Sequence, residues 1–89
     1  MADDEVEIPI EHEIDLHAFQ PRDIPQVVDA FVTAAAEAGL RDVRLVHGRG
    51  IGVQRARVQA ALQHHPRVEE FWDDPGAHLG ATIARLTAA

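Results

Sequence analysis

The sequence predicts an α/β fold: a βαβαββ two-layer sandwich with a mixed four-stranded sheet and two helices. Three observations carry that expectation. Short apolar runs of strand length alternate with two stretches of helical periodicity, the pattern of strand–helix–strand units. Each helical stretch meets a stop signal, Gly39 after the first and Pro66 after the second. The last two strand-like runs are joined by a short loop with Pro75, Gly76 and Gly80. Strands separated by a helix are expected to run parallel on a right-handed crossover, and the last two to be antiparallel.

Taken in order, residues 1–10 form an acidic N-terminal arm with little apolar content, expected to be frayed or at most a short edge strand. Residues 11–89 form the domain proper. Glu11 to His17 alternates, with Ile14 and Leu16 on one face and Glu13, Asp15 and His17 on the other, as a strand with one buried face does. Asp15 and His17 would then share the non-core face at its C-terminal end. After a loop containing Pro21, Asp23 is placed to cap a helix that tolerates Pro25 in its first turn. Ile24, Val27, Val28, Phe31, Ala34, Ala35 and Ala38 recur at helical spacing.

Asp42 to Val46 reads as a central strand, and a glycine loop from Gly48 to Gly52 follows. The second helix spans Val53 to Gln63, with Val58, Ala61 and Leu62 as its core face. Val68 to Trp72 is the third strand, anchored by Val68 and Phe71, and Ala81 to Leu86 the last. Trp72 is read as core or edge packing, His12 as solvated, and His64 and His65 as capping and surface residues.

Composition narrows the function classes. At 89 residues the chain fits one small domain. With no cysteine it has no disulfide, thiolate metal site or cysteine nucleophile. No apolar run approaches the ~20 residues of a membrane span. Met1-Ala2-Asp3-Asp4-Glu5 lacks the basic character of a signal peptide, so a soluble cytoplasmic protein is expected.

The net charge of -7 opposes a nucleic-acid partner, but it is unevenly spread. Seven acids lie in the first fifteen residues, while six arginines between Gly39 and Arg67 face only Asp42. Arginine presents a planar fork suited to phosphate.

In open α/β sheets, sites gather at the C-terminal ends of parallel strands. That end would hold Asp15, His17 and His47, the glycine loop, and the positive end of the second helix. Gly48, Gly50 and Gly52 would let the backbone approach a phosphate closely or take positive φ, with Arg49 and Arg55 forking onto phosphate oxygens. A glycine-rich strand–helix loop is more often only a tight turn with no ligand.

Ile14-Asp15-Leu16-His17 and His47-Gly48-Arg49-Gly50, set around one helix, resemble the two signature motifs of the small MutS-related (Smr) domain family. Gly52 with Arg55, His65-Pro66-x-Val68 and Gly80-Ala81-Thr82 follow in the family's order. The chain departs from the family's habits at Ala18, at Ala77-His78 and at Arg49, which stands where lysine is common.

The resemblance, to a standalone member, implies a fold similar to the C-terminal domain of bacterial translation initiation factor three. It implies nucleic-acid binding and, in many members, endonuclease activity on DNA or RNA, including messenger RNA at stalled ribosomes. Carried over, the catalytic residues are Asp15, His17 and His47. Gly48, Arg49, Gly50, Gly52 and Arg55 fall to phosphate or nucleic-acid binding.

Cleavage needs one group to deprotonate the attacking oxygen and another to protonate the leaving one, and His17 and His47 suit that pair. Asp15 would orient His17 or help bind a divalent ion. No metal ligand set is assigned; DNA cleavage by water would call for a cation such as Mg or Mn. The rival readings are a non-catalytic nucleic-acid- or ribosome-binding module using the same surface, and a protein adaptor working through the acidic arm.

Overall fold

The structure, a computed structural model, describes residues 12–50 and 52–87. The acidic arm and Glu11 lie outside the described residues. The elements run in the expected order: β1 (Glu13–Asp15), α1 (Ile24–Glu37), β2 (Asp42–Val46), α2 (Val53–Gln63), β3 (Val68–Asp73) and β4 (Ala81–Leu86). They form one four-stranded mixed sheet in the spatial order β1-β2-β4-β3. β1 and β2 are parallel, with Ile14 opposite Leu45. β4 is antiparallel to both neighbours, with Thr82 opposite Leu45 and Ala84 opposite Phe71. The last strand is therefore central, and β3 is left at the edge.

The first strand is shorter than its alternation suggests. It ends at Asp15, because the Asp15 carboxylate accepts the backbone N–H of His17 at 2.9 Å and turns the chain into a short 3-10 helix, Leu16–Ala18. A short acidic side chain bonding its own backbone competes with the ladder, and here it wins. His17 leaves the strand as a result and sits on the turn.

The core lies between the sheet and the helices. It joins Ile24, Val28, Val32 and Ala35 of α1, Val58 and Leu62 of α2, and Val43, Leu45, Ala84 and Leu86 of the central strands. The buried face of α1 is rotated from the expected stripe: Val32 and Ala36 are buried, and Ala38 is an exposed cap. Asp23 precedes that helix without a side-chain capping bond.

His65 is buried, not superficial. Its Nδ1 accepts the Arg67 N–H at 3.0 Å, and its Nε2–H donates toward Thr33 and Asp29, tying the end of α2 to α1. Trp72 is half-buried on the outer sheet face, with the Arg85 guanidinium 5.5 Å from its ring centre.

Leu45 is fully buried on a central strand. Leu45→Ala is expected to cost about 2–5 kcal/mol, a large share of the stability of so small a domain. Urea unfolding monitored by circular dichroism measures it.

Candidate functional site

The parallel ends of β1 and β2 bring together the two histidine segments that are thirty residues apart in the chain. His17, His47, Gly48, Arg49, Gly50 and Gln54 line one open cleft of about 330 Å³ with the first turn of α2. His17 stands at its rim, exposed. Its ring Nδ1 lies 2.7 Å from Asp15 Oδ1, and a carboxylate can only accept, so the proton on Nδ1 is donated to Asp15. Nε2 then faces the glycine loop. A Cβ built on Gly48 would lie 2.6 Å from it, so only glycine leaves room for the ring. Asp15 is held below the ordinary aspartate value of 3.8, first by the His17 backbone N–H and then by the ring.

His47 has a different environment. It is 4% exposed, and both of its nitrogens are engaged. Nδ1–H donates to the Gly48 carbonyl at 2.9 Å, since a carbonyl only accepts. Nε2 lies 2.9 Å from the Thr82 hydroxyl. That hydroxyl already accepts from the Gln59 amide at 3.0 Å, and the same amide donates to Asp73 at 3.0 Å. With Gln59 fixed as donor, the Thr82 hydrogen points to His47 Nε2, and the tautomer with the proton on Nδ1 is set. His47 was expected to share proton transfer with His17; in this structure both of its nitrogens are bonded within the protein. His47 braces the loop.

The loop is tied internally as well. The N–H groups of His47 and Gly48 both donate to the Gly80 carbonyl, at 3.0 and 2.9 Å, and Gly52 N–H donates to Arg49. Gly48 and Gly52 therefore do not present their amides to an anion, as the glycine spacing suggested. They supply positive φ, +82° and +87°, the other role expected of these glycines, the second at the start of α2. Arg55 was expected on phosphate; its fork closes on Asp73 through two contacts of 2.7 Å.

Two more arginines of the central cluster are used the same way. Arg44 pairs with Asp74 and Glu13, and Arg41 approaches Glu69. Among the described residues, Arg49 makes no ion pair, and it is exposed on the rim of the cleft. The first-turn N–H groups of α2, at Val53 and Gln54, border the cleft and have no helical partner of their own. His78 lies on the far side of the loop, with Arg49, Arg55 and Leu79.

Gln59, Thr82, Asp73 and Gly80 are the residues whose part the sequence did not reveal. Thr82 lies in the inward alternation of β4 with Ala84 and Leu86, and a hydroxyl on a core face must find a partner. Arg55 and Gln59 are one helical turn apart and share a face.

Among the described residues no group of three or more His, Cys, Asp or Glu is placed to hold a metal ion. Asp15, the carboxylate beside His17, is committed to that ring.

Asp15, Asp42, Asp73 and Asp74 are all held below 3.8, chiefly by hydrogen bonds from His17, Arg85, Arg55 and Arg44 in turn. A carboxyl lowered by folding stabilises the fold above its unfolded value and loses that contribution as pH falls through its folded one. Stability carried by these groups is expected to be complete at neutral pH and to fall only as the pH drops below 3.8. For Arg55→Ala, carboxyl NMR titration should show Asp73 rising toward its ordinary value.

Comparison with known proteins places this arrangement among relatives. The model of the Smr domain family matches residues 14–87. The endonuclease MutS2 of Thermomicrobium roseum is 36% identical over 80 residues, covering 86% of this chain and 10% of the relative. That of Symbiobacterium thermophilum is 41% identical over 59 residues. The chain spans about a tenth of the length of the curated relatives it matches. Among solved structures, the Smr domain of Thermus thermophilus MutS2 superposes with a TM-score of 0.77 at 36% identity, covering 83% of this chain and 95% of that one. YdaL, a stand-alone small MutS-related protein from Escherichia coli, shares the fold with a TM-score of 0.79 at 22% identity, covering 91% of this chain and 68% of that one.

Proposed function

The chain belongs to the Smr domain family, and on that premise we propose that it is a nucleic-acid endonuclease that cleaves phosphodiester bonds in the cleft beneath His17. The observation that carries the reading is the Asp15–His17 pair. A carboxylate fixes Nδ1 at 2.7 Å and leaves Nε2 aimed across the glycine loop. This is the arrangement of an oriented general base. The relatives named endonuclease MutS2 support the same reaction class.

RNA is the favoured substrate, because the chain's own residues suffice for it. His17 Nε2 takes the proton of the 2′-hydroxyl. That oxygen attacks phosphorus, the bond to the 5′ oxygen breaks, and the leaving oxygen takes a proton from water at the open rim. Arg49 and the N-terminal end of α2 meet the charge that builds on the phosphoryl oxygens. His47 acts through the loop: with Thr82 and Gln59 behind it, it holds the Gly48 carbonyl and so the surface on which the His17 ring rests. Among the described residues the donors beside the cleft form no set that fits a divalent ion, and no step is assigned to one.

A second reading, a binding module without catalysis, draws on the internal pairing of Arg44, Arg55 and Arg85, which leaves few cations for phosphate contacts. Incubation of the protein with labelled single-stranded RNA and with supercoiled DNA, in EDTA or in manganese, separates the two. The endonuclease reading expects RNA cleavage that persists in EDTA. Binding without cleavage of either substrate overturns it in favour of the module.

A further inference from the structure

We infer that the groove next to the cleft is a nucleobase pocket, in which a base of the bound strand stacks on Phe19 and is read at its edge by the Gln54 carboxamide; this rests on the nucleic-acid reading of the cleft. The groove holds about 210 Å³ and shares His17, His47 and Gln54 with the cleft. A nucleotide whose phosphate lies under His17 therefore has its base beside this opening. Leu16, Pro21 and Ile24 give the groove apolar walls, and Phe19 closes one side.

Two features of the groove have no use inside the protein. Phe19 is 40% exposed, although a ring of that size normally goes to the core. A flat aromatic face beside a phosphate site is what bases stack on, whatever their sequence. The second feature is Gln54. Among the described residues its Oε1 is buried and has no hydrogen-bond partner, whereas both ring nitrogens of His47 and the hydroxyl of Thr82 are engaged. A buried acceptor without a donor is unfavourable, and among the described residues no hydrogen bond holds this amide in place. Rotation about its last torsion turns Oε1 into the groove beside the amide N–H groups. One acceptor and one donor side by side match the edge of a base, which offers the reverse pair.

A base can enter the groove only when it is unstacked. The substrate class is accordingly single-stranded nucleic acid, or a loop or bulge with a splayed base. The identity of the base is set by the Gln54 contact, and the strength of binding by Phe19.

The test measures binding of labelled single-stranded oligoribonucleotides by fluorescence anisotropy. One set is intact, another carries a single abasic site at successive positions, and a third is duplex of the same sequence. The wild-type protein is expected to prefer the single strand over the duplex. One abasic position should weaken binding about tenfold, the scale of one lost stacking contact. In Phe19→Ala the intact strand should bind as weakly as that abasic strand binds wild type, and Phe19→Trp should restore the difference. Gln54→Leu should flatten preference among the four bases at that position.

Equal binding of intact and abasic strands by the wild type overturns the pocket and leaves the cleft reading standing. Retention of the abasic penalty in Phe19→Ala also overturns it. Absence of binding to every oligonucleotide overturns the nucleic-acid reading itself.

Discussion

His17→Ala is expected to lower the single-turnover rate of RNA cleavage by roughly 10²- to 10⁴-fold, the range carried by one positioned proton-transfer group. The fold should be untouched. The ring side chain is 63% exposed, and its one side-chain contact among the described residues is with Asp15, itself 65% exposed. An exposed pair of this kind adds little to stability. Circular dichroism and urea unfolding should therefore match the wild type while activity disappears. Asp15→Asn provides the graded case. The amide still accepts the backbone N–H of His17, so the turn survives, but it no longer offers the ring an anion. Its rate should fall by less than that of His17→Ala. A rate unchanged in His17→Ala removes the histidine from the chemistry, whatever else the cleft does.

Gly48→Ala is the second large effect, and it acts on both the fold and the site. Gly48 has φ +82°, a conformation that costs an L-residue about 1–2 kcal/mol. The added Cβ would also lie 2.6 Å from His17 Nε2, a distance that forces the ring to move. A displacement on the order of 1 Å at a reacting group costs about 10²-fold in rate. Gly48→Ala should thus be destabilised by about 1–2 kcal/mol and be nearly as inactive as His17→Ala. Gly50→Ala is the control. It also has positive φ, +40°, but its added Cβ meets nothing within 4 Å. It should lose stability and keep most of its activity. Equal activity loss in the two variants would show that loop conformation, not room for the His17 ring, sets the rate.

Much of the fold was legible because its signals are local. The helices are marked by apolar spacing and by Gly39 and Pro66, and β4 by its run from Ala81 to Leu86. The insertion of β4 between β2 and β3 was not legible. That choice depends on which strand pairs Val43 with Ala84, a contact between residues forty-one apart in the chain. The end of β1 was misplaced because the side chain of Asp15, not the apolar alternation, ends the strand.

The same division holds at the cleft. The pairing of the Asp15–His17 turn with the His47 loop followed from parallel strands. The state of each side chain did not follow. Arg55 has the chemistry of a phosphate ligand, and only the position of Asp73 on the edge strand shows that its fork is occupied. His47 has the chemistry of a proton carrier, and only the chain Asp73–Gln59–Thr82 fixes its tautomer. Part of the arginine cluster is explained by pairing with acids, as Arg44 with Glu13 and Asp74 and Arg55 with Asp73. An acidic chain can hold several of its arginines for its own structure and leave Arg49 at the rim for a ligand.

The most direct test is the end-group left on labelled single-stranded RNA after a single turnover in EDTA. The account predicts a 2′,3′-cyclic phosphate from the wild-type protein, and no such product from His17→Ala or from a strand with deoxyribose at the cleaved position. Intact RNA, or cleavage that ignores the missing 2′-hydroxyl or the missing imidazole, contradicts it.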